Sequence, residues 1–141
     1  MRFFFDTSVL IPCFFEDHLH HEASRRAFLQ ADKQHDCCGV HSLAEFYANA
    51  TGYPAKTRMS GHEALLFVDE IRDRLAVVEL TSAEYYSAIR DAAAAGVVGG
   101  TIYDALLCRC AEKSEAEVIY TWSVRHFQQV SEHIATRIRT P

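Results

Sequence analysis

Four polar positions stand just beyond short apolar runs of this chain. Asp6 follows the run 2–5, Glu45 comes shortly after 36–40, Asp104 follows the glycine-containing stretch 97–100, and Thr121-Trp122-Ser123 closes the run 118–121. If those runs are parallel strands, all four positions face one edge of a sheet and three carboxylates converge there. Converging carboxylates repel one another, at a cost that a cation among them offsets. Hard oxygen ligands select Mg²⁺ or Mn²⁺, and Mg²⁺ usually takes one or two protein carboxylates and leaves its other positions to water and phosphate. Such a site suits phosphodiester hydrolysis, in which the ion makes water acidic enough to attack and offsets charge on the phosphate. Each residue also has a purely structural reading. Asp6 can cap the turn that follows it, Ser42 and Glu45 have capping-box spacing, and Asp104 can complement a helix dipole. Their joint placement after successive strands is what favours a site.

The elements that must position these residues follow from periodicity. Apolar and small residues recur at helical steps over 18–32 (Ala23, Ala27, Phe28, Ala31) and 61–74 (Leu65, Val68, Ile71). Ser42 is expected to open a helix to Thr51, stopped by Gly52. Thr81 and Glu84 have the spacing of a capping box and start another helix, through Ala95, closed by Gly96. Further helices are expected over 102–113 and 124–129, and strands over 2–5, 36–40, 76–80 and 118–121. Strands alternating with helices indicate an α/β fold: a single domain over 1–141, a three-layer sandwich with a central, mainly parallel sheet of four to five strands flanked by helices. Ligands of such sheets gather outside the carboxyl ends of the strands.

Composition narrows the function. The 141 residues are 49% hydrophobic and 23% charged, as in an ordinary globular domain. With 14 Lys+Arg against 19 Asp+Glu, the net charge of −5 argues against a broad basic surface for nucleic acid. A nuclease that grips a few phosphates and leaves the rest to metal ions is compatible with it. The opening apolar run stops at Asp6, too short for a signal peptide, and no stretch approaches the length of a membrane span, so a cytoplasmic protein without membrane contact is expected. The five cysteines show no two-residue-gap pair and read as reduced structural thiols. Neither a Gly-x-Ser-x-Gly nor a P-loop pattern occurs, which leaves acyl transfer and nucleotide hydrolysis without support.

Four segments in order, Phe5-Asp6-Thr7-Ser8-Val9-Leu10, Ser42-Leu43-Ala44-Glu45-Phe46, Thr101-Ile102-Tyr103-Asp104-Ala105-Leu106 and Tyr120-Thr121-Trp122-Ser123-Val124-Arg125-His126-Phe127, resemble the motifs of PIN domains, particularly the VapC-type ribonuclease toxins of bacterial toxin–antitoxin pairs. The closing Arg139-Thr140-Pro141 is similar to the usual end of those chains. The resemblance spans essentially the whole length. It implies a PIN fold, a divalent-metal-dependent endoribonuclease acting on RNA, inhibition by a cognate antitoxin protein, and a homodimer. Carried over, Asp6, Glu45 and Asp104 match the acidic catalytic core, with Asp6 and Asp104 as ligands of Mg²⁺ or Mn²⁺. Thr7 or Ser8 would offer a hydroxyl or amide to Asp6 or to the attacking water, with Ser123 and His126 in support. The family often has Asp or Asn where Ser123 stands, and a neutral hydroxyl supplies no charge for a second ion, so one tightly bound metal is expected.

Other side chains admit two readings each. His126 is a phosphate contact or a packing histidine, and Arg125 a phosphate clamp or solvated charge. His18, His20 and His21 have the spacing of a metal cluster but lack a nearby further ligand. Trp122 leaves a buried strand and reads first as packing, with a base-stacking platform as the alternative. Arg58, Arg109 and Lys113 are surface charge or the lining of an RNA groove. At the level of the whole protein, Ser123 also admits a catalytically degenerate PIN-like binding module acting through antitoxin or dimer contacts. Aspartyl phosphate chemistry at Asp6 is disfavoured, because Ser8 occupies the place of the second Asp such sites need.

Overall fold

The computed structural model describes residues 1–141 except Ala55 and Thr57. Its centre is a five-stranded, wholly parallel sheet in the order β3-β2-β1-β4-β5, with β1 Phe3–Phe5, β2 Asp36–Gly39, β3 Ala76–Val78, β4 Val118–Tyr120 and β5 Ile138–Arg139. The strands are short and apolar because helices cover both faces. Side chains alternate between those faces. Phe5 and Cys38 join one core with Phe28, Phe46, Ala64 and Ile71. Phe4 and Cys37 join the other with Leu107, Cys110, Ile119 and Phe127. The adjacent cysteines thus serve opposite layers. All five cysteines are buried free thiols, and burial pushes the Cys13 thiol up to about 12 and Cys110 to about 11. They pack as small apolar residues.

Seven α-helices complete the described residues: α1 Thr7–Leu10, α2 His21–Leu29, α3 Val40–Gly52, α4 Gly61–Arg74, α5 Ser82–Ala94, α6 Thr101–Ser114 and α7 Val124–Val130. α4 has the expected bounds, and α5 opens on the expected capping box, Thr81 Oγ1 accepting from Glu84 N at 3.2 Å while Thr81 N donates to Glu84 Oε2 at 2.8 Å. Three expectations need correction. The helix expected over 18–32 is shorter, His21–Leu29. The turn after Asp6 is itself the helix α1, followed by a 3₁₀ turn at Pro12–Phe14. The helix expected from Ser42 begins at Val40, with Gly39 as an N-cap that makes no side-chain bond. A Cβ on Gly39 would lie 2.7 Å from Leu107 Cδ2, so the missing side chain is what lets the end of β2 pass this close to α6 on its way into α3.

Strand order fixes where a site can form. The chain leaves β1 for β2 and β3 on one side, then returns past β1 to β4 and β5 on the other. The crevice between β1 and β4 at their carboxyl ends is therefore a topological switch point, the preferred ligand position of an open α/β sheet. The amide of Asp6 donates to Tyr120 O at 3.0 Å, extending the β1–β4 pairing one residue into that crevice.

Candidate active site

Asp6 is the buried centre of the crevice, 3% exposed. It is the N-cap of α1, so its structural and chemical readings both apply. Three hydrogen bonds reach it, and all fall on one oxygen. Oδ2 accepts from Ser8 N at 3.3 Å, from Ser8 Oγ at 2.6 Å and from Thr121 Oγ1 at 2.8 Å. The two hydroxyls are held in turn: Ser8 Oγ accepts from Trp122 N at 2.9 Å, and Thr121 Oγ1 from Ser123 N at 3.0 Å. The two hydroxyls also lie 3.2 Å from each other, so both cluster on the same oxygen of Asp6. Oδ1 keeps its lone pairs for another ligand.

Thr7 points to the second carboxylate rather than the first. Its Oγ1 stands 2.8 Å from Ser42 Oγ and 3.2 Å from Glu45 Oε1, one proton serving two acceptors. Because α3 opens at Val40, Glu45 lies in the second turn instead of the first, and Ser42 is a buried member of the site, not a cap. His41, one turn before Glu45, brings Nε2 to 3.7 Å from Oε1. Asp104 sits in the first turn of α6, with His126 Nδ1 3.4 Å from its Oδ2.

The electrostatics tie the three acids together. Burial raises the pKa of Asp6 above its ordinary value, the Ser8 and Thr121 hydrogen bonds oppose the rise, and Asp104 adds to it. Burial, with help from Asp6 and Asp104, pushes the Glu45 carboxyl up to about 7, against the pull of Thr7. Burial also raises Asp104, opposed by His126. Desolvation is the largest cause for each acid; Asp104 adds to the rise of Asp6, and Asp6 and Asp104 both add to that of Glu45. They do not form a closed cage, however. Among the described residues no group of three or more His, Cys, Asp and Glu side chains could hold a metal ion together. The donor set of carboxylate oxygens in hydroxyl-rich surroundings, with Asp6 Oδ1 unengaged by hydrogen bonds, nevertheless fits a hard dication that takes one or two carboxylates and completes its shell with water and phosphate.

The remaining candidates separate cleanly. Ser123 contributes its amide, as the N-cap of α7 without a side-chain cap bond. Arg125 is exposed. Arg109 is engaged by Asp91 at 2.7 Å and Glu112 at 3.6 Å, and Lys113 by Glu84 at 2.7 Å, so neither is a free groove cation. His21 Nδ1 is bound to Pro12 O at 2.7 Å, while His20 lies flat on Trp122 with ring centroids 3.7 Å apart. Ser42, His41 and Tyr103 escape a reading based on carboxylates, whereas Thr121 does not. The available signal for Thr121 was its place at the end of the strand that neighbours β1.

A family model described as PIN domain matches residues 3–131. Solved structures share the fold. VapC20 of Mycobacterium tuberculosis, a Sarcin-Ricin loop cleaving toxin, superposes with a TM-score of 0.69 at 17% identity over 88% of this chain and 92% of that one. VapBC2 of Rickettsia felis, bound to a DNA fragment from their promoter, gives 0.64 at 12% identity over 99% and 98%. VapBC-1 of nontypeable Haemophilus influenzae gives 0.64 at 17% identity over 99% and 98%. No curated protein sequence matches the chain. At these identities the structural likeness is one of fold.

Proposed function

The chain belongs to the PIN domain family, and from that premise we propose that it is an endoribonuclease dependent on Mg²⁺ or Mn²⁺, the toxin of a toxin–antitoxin pair. The observation that carries the reading is the gathering of Asp6, Glu45 and Asp104 at the β1–β4 switch point, where burial raises all three carboxyls. A module kept only for binding gains nothing from that cost, which weighs against the degenerate alternative that Ser123 raised.

Asp6, through Oδ1, and Asp104 would hold the ion. Bound there, it supplies Lewis acidity toward water and phosphate. Ser8 and Thr121 fix Asp6 so that its free oxygen is presented in one orientation. Glu45, with its carboxyl near 7, exchanges a proton at neutral pH and serves as the base that takes one from the attacking water at an Oε atom. Thr7 and His41 orient Glu45, and His126 orients Asp104. Ser123 adds no charge, so one ion per site is expected.

The partners follow from the same premise: RNA as substrate, a cognate antitoxin as inhibitor, and a second copy of the chain. An apolar patch suits a protein partner. The Tyr47 hydroxyl lies over Gly61, and Leu65, one turn further along α4, is 51% exposed beside Leu66 at 69%. No helix among the described residues is long and apolar enough to cross a membrane, in keeping with a cytoplasmic site of action.

The test is cleavage of an RNA pool by purified, partner-free protein with added Mn²⁺. Asp6→Asn, Glu45→Gln and Asp104→Asn should each abolish cleavage and growth inhibition while the circular dichroism spectrum is retained. Wild-type rates in all three would overturn the mechanism, and a wild-type protein inert with Mn²⁺ would leave only the binding module. Mapping RNA 5′ ends after induced expression identifies the target.

A further inference from the structure

Two stacked pairs of rings stand on segments that carry or contact the carboxylates, and the mechanism above uses neither as a pair. On one side His20 lies on Trp122, centroids 3.7 Å apart and planes 7° from parallel. On the other His41 lies on Tyr103 at 4.9 Å and 12°. Each larger ring is the chain neighbour of a residue of the site. Trp122 follows Thr121, which bonds Asp6, and Tyr103 precedes Asp104.

Both pairs are held in place. The Trp122 amide donates to Ser8 Oγ, and its indole Nε1 to Ser24 Oγ at 2.9 Å, with Ser24 fully buried. His20 is set by its own amide, which donates to His18 Nδ1 at 3.0 Å. His41 is anchored on α3 one turn before Glu45, and Tyr103 in the first turn of α6. The rings are also reachable, with Tyr103 46% exposed, Trp122 and His20 half-buried, and Leu19 beside His20 89% exposed. Core packing accounts for one face of Trp122, which lies against the Phe28 and Phe46 cluster. It does not account for a second, coplanar ring laid over it at the surface, nor for the same device beside Asp104.

Pre-positioned aromatic faces along a nucleic-acid path bind unstacked bases, since every base has a π-face. Arg109 and Lys113 are paired with acids, which leaves the exposed Arg125, next to His126, as a cation for the phosphates of a single strand. Resting on the ribonuclease reading above, we propose that the His20–Trp122 and His41–Tyr103 pairs are base-stacking platforms that hold the nucleobases on the two sides of the scissile phosphate.

Trp122 is the chain's single tryptophan, so its emission reports on one platform directly. The test is fluorescence titration of the whole protein in EDTA, which prevents cleavage, with an unstructured RNA of about ten nucleotides and with an abasic ribose-phosphate chain of equal length. RNA should quench Trp122 and bind about tenfold tighter than the abasic chain. His20→Ala and Tyr103→Ala should each remove about five- to tenfold of that advantage, whereas His20→Phe and Tyr103→Phe, which keep a ring, should retain it. In Mn²⁺-supported cleavage the alanine variants should raise KM and leave kcat nearly unchanged. Equal affinity for RNA and abasic chain, or alanine variants that bind as wild type, would overturn the platforms. Base-dependent binding by a protein that cuts no RNA would sink the ribonuclease reading and leave the platforms standing; efficient cleavage with base-independent binding would do the reverse.

Discussion

Glu45→Gln tests the electrostatics of the site without any substrate. The carboxyl of Glu45 moves from an ordinary 4.5 to about 7 on folding, so between those values the folded chain holds a proton that the unfolded chain has released. Stability must then fall as pH rises through that window and level off above about 7. At about 1.4 kcal/mol per pH unit, a displacement from 4.5 to about 7 has a ceiling of about 3 kcal/mol. The side chain is 28% exposed, and solvent screening reduces this to roughly 1.5 kcal/mol. Asp6 and Asp104 are displaced in the same direction and add to the slope with the same sign. For a domain of 141 residues, roughly 1.5 kcal/mol corresponds to about 4–7 °C in Tm.

The assay is thermal unfolding in EDTA between pH 5.5 and 8. That range covers about three-fifths of the window, so wild type should lose about 2–4 °C across it through Glu45, while Glu45→Gln, which keeps an acceptor for Thr7 but no titratable charge, should have a shallower slope and be more stable than wild type at pH 8. Mg²⁺ at about a hundred times its Kd should restore about 2.7 kcal/mol to wild type at pH 8, and much less to Asp104→Asn. A wild-type curve that is flat in EDTA, or a Glu45→Gln protein weaker than wild type at pH 8, would refute the claim that burial and the neighbouring acids raise the Glu45 carboxyl in the fold.

Three further outcomes follow from contacts around the site. Thr121→Val keeps the shape of a fully buried side chain but removes the donor to Asp6 Oδ2 and the acceptor for Ser123 N; urea unfolding should show a loss of about 1–3 kcal/mol, and the acidic limb of the cleavage–pH profile should move up because Asp6 loses a bond that favours its charged form. Gly39→Ala forces a Cβ to 2.7 Å from buried Leu107 on the helix that carries Asp104; it should cost about 1–3 kcal/mol and lower cleavage together with stability. Ile89→Glu places a charge among exposed Tyr85, Tyr86 and Ile89 on α5; it should shift a dimer to monomer in sedimentation while the melting temperature of the monomer is kept.

The sheet was legible because burial on both faces writes itself as apolar runs such as Phe3-Phe4-Phe5, and the capped helices because Thr81 and Glu84 must sit three apart to satisfy each other. Asp6 was legible in its structural role, since a carboxylate directly after a buried strand is placed to cap the helix that follows, as it does for α1. What local pattern misplaced was the start of α3. Ser42 and Glu45 have the spacing of a cap, whereas the helix opens two residues earlier, with Gly39 as N-cap packed close to Leu107 of α6, far along the chain, and Ser42 buried against Thr7. The partner of Asp6 is equally non-local, since Thr121 is 115 residues away and meets it only because the strand order sets β4 beside β1. Motif spacing thus nominates the acids of the proposed site, whereas tertiary contact decides which hydroxyl serves which acid. In the proposed mechanism that division is chemically consequential: with Ser8 and Thr121 both donating to one oxygen of Asp6 and Thr7 shared between Ser42 and Glu45, the first acid would be held to bind a cation while the second exchanges a proton.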